Sequence, residues 1–238
     1  MEVTVIGCST SWTDRPASSY CINKSILVDV GSGTNKFYAK SNIDMMNIKT
    51  IFLTHLHSDH TASLSVYFGK YLRYSPQKEK ITIYGPKGLK VYLKHLLYVC
   101  LMDYYDVNLE DYFNLIEIDN FDNKITLNQF TISTYSFDHG NMKDIAYIFD
   151  DGQTKVGFSG DLNMQQNIDK FIENTNNVFL ECCSMESSKA HLGYNDYIKF
   201  QNQFPDKKFY AIHCTDEVYN NEKQLGITCA KHSKTYKF

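Results

Sequence analysis

Four residues able to bind a metal ion fall within six positions, His55-Leu56-His57-Ser58-Asp59-His60, directly after the β-branched run Thr50-Ile51-Phe52-Leu53-Thr54. Residues two apart in an extended chain point the same way, so His55 and His57 can grip one ion together. A turn into a helix beginning near Thr61 displaces Asp59 and His60 toward a second ion nearby. A solvated polar loop, or a Ser/Asp cap before a helix, is the plain alternative. Chance production of H-x-H-x-D-H at this histidine frequency is roughly a one-in-a-thousand event, which favours the metal. The remaining ligands are expected singly at the ends of later strands. His139 comes soon after Phe130–Tyr135, Asp161 closes the Ser159-Gly160-Asp161 turn after Val156–Phe158, and His213 follows Phe209–Ile212. Each alone reads as an ordinary turn or surface residue; together they read as one site.

The elements that must position these residues alternate along the chain. Strands are predicted at Val3–Gly7, Ser19–Ile22 and Ser25–Val30 (a hairpin bending at Asn23-Lys24), Thr50–Thr54 and Ile81–Tyr84. Helices are predicted at Thr34–Ser41, Thr61–Leu72 and Leu89–Tyr105. Later strands are Leu115–Ile118, Lys124–Leu127, Phe130–Tyr135, Ile145–Phe149, Val156–Ser159, Val178–Leu180 and Phe209–Ile212, with helices at Gln165–Glu173 and Tyr194–Phe204. This alternation predicts an α/β fold, two sheets packed face to face with helices outside. No Pro/Gly/Ser-rich linker divides the 238 residues, so they are expected to form one domain over 1–238.

Composition narrows the function classes. A net charge of −3, with no long Lys/Arg cluster, argues against an extended nucleic-acid surface. The seven cysteines are odd in number and contain no C-x-x-C, so neither a disulfide framework nor a thiolate zinc knuckle is indicated. The opening segment Met1–Gly7 lacks the basic and apolar regions of a secretory leader, and no run approaches the roughly 20 apolar residues of a membrane span. The expectation is a cytoplasmic protein with no membrane contact.

With these residues in view, the chain resembles the metallo-β-lactamase superfamily, from Leu27-Val28-Asp29-Val30-Gly31 through Ala211-Ile212-His213, and within it the ribonuclease Z-like phosphodiesterases. Ala146-Tyr147-Ile148-Phe149 after His139 and Ser159-Gly160-Asp161-Leu162 carry that narrower likeness. Leu180-Glu181-Cys182-Cys183, with His191 ten residues after Glu181, stands where transfer-RNA-processing members carry His-Glu-Ala-Thr and a later His; here Leu180 replaces the His, and two cysteines replace Ala-Thr. The resemblance implies a four-layer αββα sandwich of two mixed sheets flanked by helices, and two divalent metal ions. One ion would be held by His55, His57 and His139 and the other by Asp59, His60 and His213, with Asp161 bridging. Imidazole and carboxylate donors suit zinc, with manganese the other fit. Asp59 would also orient the attacking water, His191 would serve as general acid, and Glu181 would fix its orientation.

Two readings of function share this chemistry. One is a phosphodiesterase for small cyclic nucleotides, similar to the anti-Pycsar enzymes that degrade pyrimidine cyclic nucleotides of antiviral signalling. The other is a transfer-RNA 3′-end endonuclease. Endonucleases of this kind carry a Gly/Pro-rich basic arm, whereas the stretch Leu101 to Asp122 contains Asp103, Asp106, Glu110, Asp111, Glu117 and Asp119 and no Gly, Pro, Lys or Arg. That favours the small nucleotide. A homodimer is implied by the resemblance. A metal-binding sensor without activity is a third reading, which the complete ligand set disfavours. A β-lactamase or thioesterase role within the superfamily fits the Ala146-Tyr147 and Ser159–Leu162 pattern less well. Asp29 is expected to brace the metal loop, Gly31-x-Gly33 to be a simple turn, His95 and His232 to lie on the surface, and Cys182 and Cys183 to be buried small hydrophobes.

Overall fold

The computed structural model describes residues 1–74, 79–102, 106–119, 121 and 124–238. Its strands form two mixed sheets. The first contains β1 (Glu2–Gly7), β2 (Ser19–Ile22), β3 (Ile26–Val28), β4 (Thr50–Phe52), β5 (Ile81–Pro86) and β6 (Phe113–Ile118), joined from the far end of the chain by β13 (Lys234–Lys237). Their order is β13-β1-β2-β3-β4-β5-β6, parallel from β3 to β6 and antiparallel elsewhere. The second sheet contains β7 (Ile125–Leu127), β8 (Phe130–His139), β9 (Met142–Asp150), β10 (Lys155–Phe158), β11 (Asn177–Glu181) and β12 (Lys208–Ile212). Its order is β12-β11-β10-β9-β8-β7, with the parallel pairs at β10, β11 and β12.

Alternate residues of each strand enter different apolar layers, as the two-residue period of a pleated strand requires. Tyr20, Ile22, Ile26 and Val28 meet Ile145, Tyr147, Phe149 and Phe179 between the sheets. Cys21, Leu27 and Ile51 point the other way, onto α2 (Leu64–Tyr74) and α3 (Leu89–Cys100), whose buried Leu64, Tyr67, Phe68 and Tyr71 and Leu89, Leu93 and Leu97 fall at helical spacing. On the opposite side, Ala146, Ile148, Val178 and Leu180 pack on α4 (Ile168–Glu173) and α5 (Tyr194–Gln203). The result is the expected four-layer αββα sandwich. A one-residue slip in any central strand would exchange its two faces between layers, at about 1.5–3 kcal/mol for each large side chain exposed, so register is strongly specified.

Several predicted elements shift. The helix predicted over Thr34–Ser41 is a 3-10 turn at Thr34–Lys36 followed by further turns, because Tyr38 and Ile43 both dive into the core within six residues. The helix predicted from Thr61 begins three residues earlier, as α1 (Ser58–Thr61), and breaks before α2 because the Ser63 amide donates to Val30 O at 3.0 Å rather than to its own helix. β8 runs through His139, since β9 pairs with it along its full length and the hairpin turns only at Gly140-Asn141. The helix predicted to Tyr105 ends at Cys100, and Asp103 and Tyr105 fall outside the described residues. Within the acidic stretch, Phe113–Ile118 is the edge strand β6. Glu117 on that strand accepts the amides of Gly88 and Lys90 at 3.2 and 3.1 Å, offsetting the positive end of the α3 dipole. Among the described residues no helix is long and apolar enough to cross a membrane.

Candidate metal centre

All the predicted ligands gather at one rim of the sandwich, where β4, β8, β10 and β12 end and β9 begins. The rims of the two sheets are tied there: the Ile145 amide donates to Thr54 O at 2.9 Å and the Tyr147 hydroxyl to Leu53 O at 2.8 Å. Asp29, buried after β3 with φ of 58°, accepts the Thr54 amide at 2.8 Å and the Thr54 hydroxyl at 3.0 Å, and meets His60 Nδ1 at 2.7 Å. It therefore braces the His-rich turn, as expected. The fit is close at Gly31, where a Cβ would run into the carbonyl of Asp59. Gly31-x-Gly33 is thus a packing turn beneath the metal loop.

The side chains form two neighbouring groups. His55, His57 and His139 bring ligand atoms within 4.8 Å of one another, and so do Asp59, His60, Asp161 and His213. In the first group, His57 Nδ1 lies 3.1 Å from both His55 Nε2 and His139 Nε2. In the second, Asp161 lies 3.3 Å from His60 Nε2 and 3.2 Å from His213 Nε2, while Asp59 is 3.8 Å from His213. The outward nitrogens are fixed from behind: His55 Nδ1 on Asp144 at 2.9 Å, His60 Nδ1 on Asp29, and His139 Nδ1 on the Ala190 carbonyl at 2.7 Å. Such backing sets which nitrogen faces a metal. His213 sits at a left-handed φ of 55° and its amide donates to Cys8 O at 2.8 Å, which turns its ring inward from the end of β12.

The donor set fits cations. His60 Nε2 and Asp161 Oδ1 are fully buried with only each other, at 3.3 Å, to compensate them, and buried polar atoms so weakly satisfied are costly. Burial pushes the Asp161 carboxyl up, but His213 and His60 outweigh it and hold the group well below the usual carboxylate range. Asp144, deep behind the ligands, is pushed well above that range by burial and by the charge of Asp161.

Beside these groups, Glu181 Oε1 and His191 Nδ1 are 2.6 Å apart. Glu181 Oε2 accepts the amides of Leu162 at 2.9 Å and Leu192 at 3.1 Å, so the carboxylate is locked. Burial and the charge of Asp161 push the Glu181 carboxyl up to about 8. Partial burial pulls His191 down, but its hydrogen bond to Glu181 and the charge of that carboxylate outweigh this and hold it up at about 9. The pair retains a proton through neutral pH. The His191 ring stacks on His213 with centroids 5.4 Å apart, so it faces the ligand groups.

A cleft of about 710 Å³ opens over this rim, lined by His57, Asp59, His139, Asp161, His191 and His213. One residue behind the site, Asp144, has no place in the sequence reading, and one at the cleft, Cys183, is placed differently there. Asp144 gives no motif signal beyond standing before the apolar run Ile145–Phe149. Cys183, read as buried, is half-exposed and lines the cleft, while Cys182 is buried as expected. Strand alternation at the end of β11 explains the difference, because adjacent side chains take opposite faces. His232 is half-buried with its ring edge-on to Phe37 at 5.7 Å, not on the surface; His95 is exposed.

Comparison with known proteins agrees with this construction. Ribonuclease Z of Prochlorococcus marinus (strain MIT 9301) is 34% identical over 134 residues, covering 52% of this chain and 41% of that protein; the matched stretch is less than half the length of this curated relative. Among solved structures, the metallo-β-lactamase fold protein YhfI from Bacillus subtilis superposes with a TM-score of 0.79 at 18% identity, covering 99% of this chain and 98% of the other. Human tRNase Z, short form, superposes with a TM-score of 0.77 at 19% identity, covering 100% and 99%. These two likenesses establish the metallo-β-lactamase fold. The family described as Anti-Pycsar protein Apyc1 matches residues 1–236, nearly the whole sequence, and the chain belongs to that family.

Proposed function

We propose that this chain is a metal-dependent phosphodiesterase that opens small cyclic nucleotides, in particular pyrimidine cyclic mononucleotides of antiviral signalling. The observation that carries this reading is the convergence of the two His/Asp groups and the Glu181–His191 pair on one cleft. His55, His57 and His139 would hold one divalent ion, and Asp59, His60 and His213 the other, with Asp161 between them. The nitrogen and oxygen donors suit zinc, and manganese second. Bound there, such ions supply Lewis acidity toward the phosphoryl group and hydroxide at neutral pH. Asp59, partly exposed at the cleft, would orient the attacking water. His191 would give its proton to the departing ribose oxygen as the P–O bond breaks, and Glu181 is the positioning residue that aims it. The family's description supports the pyrimidine cyclic nucleotide.

The second reading, a transfer-RNA 3′-end endonuclease, is favoured by the curated relatives, which are ribonuclease Z proteins. Against it stands the acidic composition of 101–122, which would repel a phosphate backbone. We take the substrate to be a dissolved small nucleotide met in the cytoplasm, with no extended nucleic-acid or membrane surface. We take the chain to work as a homodimer. Incubating the metal-loaded protein with a panel of cyclic nucleotides and with a precursor transfer RNA tests the order of the two. Turnover of pyrimidine cyclic mononucleotides with RNA left intact is expected; efficient RNA processing beside inert cyclic nucleotides would reverse it.

A further inference from the structure

Trp12 is the only tryptophan of the chain, and 93% of its surface is exposed. It stands on the lip of the same cleft that holds the ligand groups. Exposed Trp is an unfavourable use of a large apolar side chain, and this one contributes nothing to the core. Its loop, between β1 and β2, is nonetheless firmly fastened. The amides of Cys8 and Ser9 both donate to Pro16 O at 3.2 Å. Arg15 Nη2 donates to Cys214 O at 2.8 Å and to Asp216 at 3.0 Å, and its guanidinium lies 3.8 Å over the Tyr219 ring. Cys214 directly follows His213, whose own amide donates to Cys8 O. The base of the tryptophan loop and the His213 ligand therefore belong to one rigid assembly.

We propose that Trp12 is the platform on which the nucleobase of the substrate stacks while the phosphodiester lies at the histidine–aspartate rim. This rests on the reading of a nucleotide substrate given above. Every base has a π-face, and an indole held at fixed distance from the reacting centre supplies affinity without forming part of the chemistry. Nearby Ser11 and Asn141 line the same cleft and offer hydrogen-bonding groups to the base edge.

Because Trp12 is the sole indole, its fluorescence reads the contact directly. Titration of the wild-type protein with uridine and cytidine monophosphates should quench it saturably, while ribose 5-phosphate and inorganic phosphate should not. In steady-state assays, Trp12→Ala should raise KM for a cyclic nucleotide about 5- to 30-fold with kcat and metal content unchanged, and Trp12→Phe should recover most of the loss. An abasic ribose 3′,5′-cyclic phosphate should be turned over equally by all three proteins. Hydrolysis of cyclic nucleotides with no quenching, and with KM unmoved in Trp12→Ala, overturns the platform and leaves the proposed activity standing. Saturable quenching by mononucleotides without hydrolysis of any cyclic nucleotide supports the platform and removes the activity. Fluorescence that answers to protein concentration and to no nucleotide makes Trp12 an interface residue and overturns the proposal. Quenching by a precursor transfer RNA far below the mononucleotide range moves the platform to an RNA end and overturns it equally.

Discussion

Glu181 holds His191 by one carboxylate oxygen at 2.6 Å and is itself held by the backbone through the other, which accepts the Leu162 and Leu192 amides. The arrangement turns the imidazole toward the ligand groups and gives it a proton that persists through neutral pH. A general acid needs both.

The departing ribose oxygen is a poor leaving group, so removing its proton source should be costly. His191→Ala is expected to lower kcat on a cyclic nucleotide by about 10²- to 10⁴-fold while metal content is retained. Bis(p-nitrophenyl) phosphate, whose leaving group needs little protonation, should lose far less. Equal losses on both substrates would make His191 a binding or folding residue.

Glu181→Gln separates positioning from charge. The amide can still accept the Leu162 and Leu192 amides, so the fold and the His191 location are expected to persist. The negative charge that holds the imidazole protonated is lost. Glu181 raises the His191 pKa, so without it the acid form declines at lower pH, and the alkaline limb of the kcat profile should move to lower pH. A profile identical to wild type would remove Glu181 from the mechanism.

Much of this site is legible in sequence because its ligands sit where strands stop. His55, His57, Asp59 and His60 form a dense motif, and His139, Asp161 and His213 each close an apolar run, so periodicity and position together point to them. Asp144 is not legible. It lies inside a strand, and only the antiparallel pairing of β8 with β9 brings it to the rim behind His55. The break between α1 and α2 is hidden for a similar reason: the carbonyl of Val30, distant in sequence, takes the Ser63 amide and ends the first turn. Tertiary partners decided both.

The homodimer proposed above would be expected to use the exposed face of α3. Val91, Tyr98 and Val99, with Met102 just beyond the helix, are apolar, largely exposed and spaced to share one side. Light scattering should give a dimer mass for the wild type and a monomer for Val91→Glu/Val99→Glu with unchanged circular dichroism. A monomeric wild type at micromolar concentration would exclude this face as the contact.

The two ligand groups, with the bridging role proposed for Asp161, predict about two equivalents of divalent metal per chain. Elemental analysis should find both in the wild type and both reduced in Asp161→Ala, whereas Asp59→Ala should chiefly affect one. Chelation should lower Tm, because the buried Asp161 carboxylate then loses its counter-charge and the buried His60 Nε2 loses the acceptor of its lone pair. A Tm indifferent to chelator would contradict the fit.

The sharpest structural test lies behind the ligands, at Asp144 and Gly160. Asp144 Oδ1 meets His55 Nδ1 at 2.9 Å and accepts the Asp161 amide at 3.2 Å, so one carboxylate orients a ligand of each group. Gly160 holds φ of 61°, and a Cβ there would run into the Asp144 carboxylate. Gly160→Ala thus combines a left-handed alanine, costing about 1–2 kcal/mol, with displacement of Asp144. Asp144→Asn keeps the volume and an acceptor oxygen but replaces the carboxyl that backs His55. Removing such a partner typically weakens metal binding by about 10- to 100-fold. Competition with a metal indicator should find that loss in Asp144→Asn with Tm of the chelated protein nearly unchanged, and a larger loss together with a lower Tm in Gly160→Ala. If Gly160→Ala binds metal as the wild type does, the Asp144–Asp161 contact is not what aims the Asp161 carboxylate, and the strand end itself must carry that role.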